Sequence, residues 1–261
     1  MQSSPFKVAI LDMYEGSPNL GMTCILEVLN IWANKNKLSL IINVYNVRVQ
    51  NQIPDFNYDV YISTGGPGSP VDSKNSEWDN TYTQWLGTII NKKKWVFLIC
   101  HSFQMACRHF EIGKISLRKS RQIGVLPVHP IIEDSLFNNL GDPFYALESR
   151  YYQITEPNDQ VIAAMGAQIL ALEKIRPDVP LERAIMAVKF NEYIYGVQFH
   201  PEGESSILLT YFQDPETKAS IIEEFGIAKW EKIMMKLEDT DKTTNTFSHF
   251  IPNFLDKALK G

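Results

Sequence analysis

Short apolar runs alternate with longer stretches whose apolar positions recur every three or four residues, and this alternation organises the first hundred residues. "KVAILD" (7–12) is a strand-like run that stops against a loop, "MYEGSPNLG". "MTCILEVLNIWANKN" follows, with Ile25, Leu29 and Trp32 at helical spacing. "LIINVYNV" and "YDVYIST" are two further strand candidates rich in Val, Ile and Tyr, and the second is halted by "GGPGSP" (65–70). "EWDNTYTQWLGTIINKK" puts Trp78, Tyr82, Trp85 and Ile89 on one helical face before the next strand, "WVFLIC". Strands alternating with helices predict a doubly wound α/β domain with a mainly parallel sheet.

From about residue 123 the rhythm changes. "IGVLPVHP", "FYALESRYYQI", "VIAAMG", "AIMAVKF" and "YIYGVQFH" read as strands in series, the last two as a hairpin with "NE" at its tip. Such a meander extends or flanks the parallel sheet. Beyond residue 203, "SSILLTYFQ", "KASIIEEFGIAKWEKIMMKLED" and "TFSHFIPNFLDKALKG" each carry an apolar stripe. In the last, Phe247, Phe250, Phe254 and Leu255 share a face if Pro252 sits near a helix start or a kink. The expected organisation is a domain over residues 1–212 and a C-terminal helical extension over 213–261 that packs on it. A subunit interface, and so a homo-oligomer, is the alternative use of that stripe.

Composition narrows the class. The chain has 261 residues, 44% hydrophobic and 21% charged, enough to bury a full core. Its net charge is -5 and the cluster Lys92, Lys93, Lys94 precedes a strand, so no nucleic-acid partner is expected. No stretch is long and apolar enough to span a bilayer. The opening "MQSSPFKVAILDMYEG" sets a short apolar run against Asp12, unlike a signal peptide. Three cysteines without a CxxC pair argue against a disulfide framework and a structural zinc site, and fit a reducing, cytoplasmic compartment. The five histidines show no HxxxH spacing, so neither a metal nor a cofactor is expected.

Three features fall at predicted strand ends: "GGPG" after 59–64, Cys100 after 95–99 and "HPEGE" after 194–199. Ligands of doubly wound sheets bind outside the carboxyl ends of the strands, so these segments can meet in space. A cysteine at a helix N-terminus gains from the positive end of the dipole. His200 can take and return its proton, and Glu202 can hold the imidazole in one tautomer. The backbone N–H groups of Gly66 and of His101 are candidate oxyanion donors. Against this, an isolated buried cysteine is most often a small hydrophobe. Cys24 and Cys107 are read so. His101 can equally be an exposed neighbour of the site, and His109 and His129 show no partner pattern.

"GGPGS", "ICHSFQ" and "GVQFHPE", in this order and spacing over roughly residues 6 to 210, resemble the class I, triad-type glutamine amidotransferase domain, with "AILDMYEGSPNLGM" similar to that family's opening strand and loop. The resemblance implies a flavodoxin-like sheet and attack of Cys100 on the side-chain amide of glutamine or a γ-glutamyl amide. His200 and Glu202 assist, and the Gly66 and His101 amides hold the oxyanion. It implies that Gln104 and the segment Ser149, Arg150, Tyr151 hold the substrate, the segment largely by its backbone. The family elbow has glycines two before and two after the cysteine; here they are Leu98 and Ser102. Ser102 is small enough for a tight helix–strand crossing, so Ser102→Gly, which restores the family's pattern, is expected to preserve or raise turnover at some cost in chain entropy. Leu98 needs a compensating gap. The family has Ser-His where this chain has Ser149 and Arg150; an arginine there can pair with a carboxylate, although a surface arginine is the simpler reading. No GxxxxGK[ST] motif accompanies the domain. A synthetase that uses the ammonia is therefore a separate subunit, or the protein hydrolyses its amide alone. A non-catalytic relative that binds a ligand on the same fold is the alternative of a different class.

Overall fold

The computed structural model describes residues 4–16, 19–178 and 181–261. Met1 to Ser3, part of the segment read against a signal peptide, and Ser17 and Pro18 of the first loop lie outside them. Nine strands form one sheet: β1 (Phe6–Asp12), β2 (Leu40–Asn46), β3 (Val60–Ser63), β4 (Trp95–Ile99), β5 (Gly113–Pro130), β6 (Phe144–Pro157), β7 (Gln168–Glu173), β8 (Ile185–Lys189) and β9 (Ile194–Val197), in the order β2-β1-β3-β4-β9-β8-β7-β5-β6. Pairing is parallel from β2 through β9 and antiparallel from β9 through β6. Half of the sheet is thus doubly wound and half is the meander. Helices α1 (Leu20–Asn36), α3 (Glu77–Ile89) and α4 (His101–His109) are the crossovers, with the single turn α2 (Val47–Gln50) after β2. The central strands β3 and β4 are buried on both faces, which is why they read as unbroken apolar runs.

The "VIAAMG" segment is a helix, α5 (Asp159–Met165), and not a strand. Asn158 caps it by accepting from the Val161 N–H, and Gly166 closes it in a left-handed conformation with φ 66°. Those end signals outweigh two β-branched residues. The first third of β5 carries Lys, Ser and Arg in place of a clean apolar run, and β7 is a further strand that the sequence reading did not include.

After β9 come α6 (Ser205–Gln213), α7 (Pro215–Phe225), α8 (Ile227–Glu238) and α9 (Thr240–Lys260). The stretch 218–239, which reads as one stripe, is two helices broken at Gly226, whose φ is 82°. Pro252 lies inside α9, at neither its start nor its end. A proline within a helix costs about 3 kcal/mol. Phe250, Ile251, Phe254 and Leu255 are fully buried around it, each contributing about 1.5–3 kcal/mol, so burial wins. This face of α9 joins Phe97, Val197 and Phe199 in the core beside the parallel strands.

The sheet is not open at its far edge. His200, just past β9, donates its N–H to the Leu147 carbonyl of β6 at 2.8 Å, although β6 stands four places from β9 in the sheet order. The antiparallel strands therefore curl back, carrying β6 to the carboxyl edge of the parallel half.

Candidate active site

Strand β4 delivers Cys100 at the first residue before α4, with φ 47° and ψ −96°. A non-glycine residue there stores on the order of 1–3 kcal/mol and persists only when its surroundings enforce it. They do: the Cys100 N–H donates to Val197 O at 2.7 Å, and Cys100 O accepts from the Gln104 N–H at 2.9 Å. Leu98 is fully buried and lies opposite Gly196 in the β4–β9 register, so the bulk gained at one position is matched by its lack across the ladder. A side chain at 196 has no room, since a Cβ there would lie 2.6 Å from the Phe103 ring.

Ser102 sits between α4 and β3 and is fully buried. Its hydroxyl meets Ser63 Oγ at 2.7 Å and donates to Thr64 O at 2.6 Å, while Tyr82 Oη donates to Ser63 Oγ at 2.9 Å. One proton per hydroxyl suffices for this chain of three donors: Tyr82 to Ser63, Ser63 to Ser102, Ser102 to Thr64. The elbow is thus tied to the residue that opens the glycine loop.

In that loop a Cβ on Gly66 would lie 2.4 Å from Met13 O, and one on Gly65 would lie 2.8 Å from His200 Cε1. Only glycine lets the loop lie against both the end of β1 and the imidazole. Arg48, from α2, clamps it by donating to Pro67 O at 2.6 Å and Met13 O at 3.3 Å, with its guanidinium over Trp78.

His200 meets Glu202 Oε1 through Nδ1 at 2.8 Å and borders the same cavity as Cys100. Burial opposes a charge on this ring. The Glu202 carboxylate and then Cys100 outweigh it and raise the His200 pKa well above that of an ordinary histidine. Cys100, His200 and Glu202 thus border one site. Gln104 reaches it indirectly: its Nε2 donates to Gln198 Oε1 at 3.1 Å, and Gln198 Nε2 approaches Cys100 Sγ at 3.6 Å.

His101 is only 1% exposed, so the exposed alternative fails. Its Nε2 is buried without a hydrogen-bond partner. Burial first, then Arg48 and Arg108, push its pKa down to about 3. Arg150 is not a surface arginine either. Its Nε donates to Glu148 at 2.7 Å and its Nη2 to Glu173 at 3.3 Å beneath the β5–β6 hairpin. Burial favours the neutral form of Glu173, but Arg150, Arg118 and Arg176 hold its carboxyl below the usual range. The guanidinium of Arg150 is thus consumed by the chain's own carboxylates, although the residue still borders the site.

A cavity of about 1040 Å³ opens over Cys100, bordered also by Gly66, Gln104, Ser149, Arg150, Tyr151, His200 and Glu202. It brings together every site residue singled out in the sequence except His101, whose side chain is buried beneath Trp78. The sequence reading missed Arg121, which lines the cavity, donates to Ser149 Oγ at 3.0 Å and lies over the Tyr151 ring at 5.4 Å. It also missed Tyr14 and Arg48, and gave no role to Gln198 inside "GVQFHPE". Cys24 is buried as expected but borders the same cavity, its thiol pushed up to about 11 chiefly by burial.

The profile of the glutamine amidotransferase class-I family matches residues 28–211. No curated protein matches the chain. Solved structures do. A glutamine amidotransferase from Thermotoga maritima superposes with a TM-score of 0.73 at 13% identity, over 99% of this chain and 100% of that one. The glutaminase domain of Trypanosoma brucei CTPS with bound acivicin gives 0.65 at 12%, over 98% and 94%. A glutamine amidotransferase from Methylobacillus flagellatus gives 0.62 at 13%, over 96% of each chain. At such identities these likenesses are ones of fold.

Proposed function

The chain belongs to the class-I glutamine amidotransferase family, and on that premise we propose that it hydrolyses the side-chain amide of glutamine, or of a γ-glutamyl amide, through a thioester on Cys100. The observation that carries this reading is the His200–Glu202 pair facing the same cavity as Cys100 at the carboxyl edge of the sheet. A carboxylate only accepts, so Glu202 fixes the hydrogen of His200 on Nδ1 and turns Nε2 toward sulfur. Nε2 takes the thiol proton as Sγ attacks the γ-carbonyl carbon. The backbone N–H groups of Gly66 and His101 receive the developing oxyanion. His200 then returns the proton to the departing nitrogen, and water hydrolyses the thioester to glutamate.

The raised His200 pKa supports this sequence, because the protonated ring is the species that must persist until the amine leaves. Ser149, Arg150 and Tyr151 hold the amino-acid end of the substrate, Arg150 by its backbone alone. Arg121 supplies the positive charge for the α-carboxylate. Of the two arginines that border the cavity it is the one whose carboxylate partner among the described residues, Glu224 at 3.6 Å, is itself at the surface. A guanidinium is suited to this task because its fork matches a carboxylate. A chain that consumes the ammonia would be a separate synthetase.

The test is release of ammonia and glutamate from a panel of glutamine and γ-glutamyl amides. The wild type turns over at least one of them and Cys100→Ser none, while Cys24→Ser and Cys107→Ser remain active. Full activity in Cys100→Ser removes the nucleophile and the reading with it.

A further inference from the structure

The cavity is larger than the proposed reaction on free glutamine needs. Cavities of about 300–1,000 Å³ hold drug-sized ligands, and this one, at about 1040 Å³, stands at the top of that range. Ammonia, a water-sized leaving group, fills on the order of 30 Å³.

His200 must face the leaving nitrogen. Gly65 is flanked by His200 Cε1 and by the Tyr14 hydroxyl, with distances of 2.8 and 3.2 Å to the position of a Cβ, and the same hydroxyl would lie 2.7 Å from a Cβ on Gly21. The space beyond His200 is therefore bounded by Tyr14 and the first turn of α1. The same cavity is lined by α6, which presents Ile207 and Tyr211 at i and i+4, neighbours on one helix face. Tyr211 is 41% exposed and lines the cavity together with Tyr14. Two large aromatic rings on one cavity mark a surface suited to a flat apolar ligand.

We propose that the natural substrate is a γ-glutamyl amide whose leaving amine carries an aromatic or similarly flat apolar body, seated between Tyr14, Ile207 and Tyr211. This rests on the reaction assigned to Cys100 and names its substrate class. The chemistry balances without a co-reactant. The Cys100 Sγ–acyl bond forms as the C–N bond breaks, the amine leaves with the proton carried by His200, and water returns the γ-carboxylate and the thiol. The helix that follows the "HPEGE" segment thereby acts as the specificity wall of the site.

The experiment compares kcat/KM for L-γ-glutamyl-p-nitroanilide, L-γ-glutamyl-2-naphthylamide and L-glutamine. The arylamides should exceed glutamine at least tenfold. Tyr211→Ser, and separately Ile207→Asp, should lower the arylamide-to-glutamine ratio at least tenfold, whatever either does to the glutamine rate. Glutamine turned over as well as or better than the arylamides, or a ratio unmoved by both variants, overturns the inference and leaves the cysteine mechanism standing. Turnover of none of the three, with no covalent adduct at Cys100, overturns both.

Discussion

Ser102 tests whether the nucleophile turn and the glycine loop are one mechanical unit. From the sequence alone, Ser102→Gly restores the family's elbow and costs only chain entropy, roughly 0.5–1 kcal/mol within a helix. The structure raises that figure. Ser63, Thr64, Tyr82 and Ser102 are all fully buried, and the Ser102 hydroxyl is the link between the other three. Removing it leaves the Ser63 hydroxyl without its acceptor and the Thr64 carbonyl without its donor. A buried polar group left unpaired costs about 1–3 kcal/mol. Ser102→Gly is therefore expected to cost about 2–4 kcal/mol and Ser102→Ala about 1–3, read as a lowered urea midpoint at unchanged m-value. Thr64 precedes Gly65 and Gly66, so the loss also loosens the proposed oxyanion loop, and kcat should fall about tenfold even in Ser102→Ala, which keeps the helix propensity. Ser102→Val should lose more, because a branched side chain separates α4 from β3. Midpoints within about 0.5 kcal/mol of wild type together with unchanged kcat would refute the reasoning.

Arg150→Met should destabilise the chain by about 3–5 kcal/mol, because Glu148 and Glu173 are left as buried carboxylates short of a partner; a loss under about 1 kcal/mol in urea denaturation contradicts that. His101 titrates near 6.5 when unfolded and at about 3 when folded, so between these values the unfolded chain binds the extra proton and stability falls as pH falls. From pH 7 to pH 5 this amounts to about 2 kcal/mol, which His101→Phe should abolish; equal pH dependence in both proteins counts against it. Arg121→Gln should raise KM for glutamine at least tenfold with kcat within about threefold, and should leave the α-carboxamide of glutamine unaffected, whereas a merely structural arginine would weaken both substrates alike.

The parallel half of the fold was legible because β1, β3, β4 and β9 are largely buried on both faces, while the half-exposed edge strand β2 was marked by its Val, Ile and Tyr. The meander was less so. "VIAAMG" carries Val and Ile like a strand, and only the Asn158 and Gly166 end signals mark it as helical. Polar residues in the first third of β5 hid that strand, and Pro252 argued against a helix that burial of its neighbours holds together. At the site, Cys100, His200 and Glu202 stood out because each follows a strand and lies in a short motif. Arg121 and Tyr211 gave no such signal. They reach the cavity only because the antiparallel strands curl back and α6 leans over the edge, which are long-range consequences of packing. Arg150 illustrates the converse: Glu148 two residues away is its near partner, but the second carboxylate, Glu173, lies 23 residues away on another strand, and that long-range pairing is what buries it.

The most direct measurement of the central claim is covalent labelling by a glutamine-like chloroketone, located by mass spectrometry. Two thiols border the cavity, so the experiment discriminates between them: Cys100, at the start of α4 on the same cavity as His200, and Cys24, whose thiol burial pushes up to about 11. The account predicts one adduct per chain, on Cys100, formed at neutral pH in parallel with loss of amide hydrolysis, slowed by substrate, and absent from Cys100→Ser. Labelling of Cys24 in preference to Cys100, or no adduct on a protein that still hydrolyses amide, would contradict it.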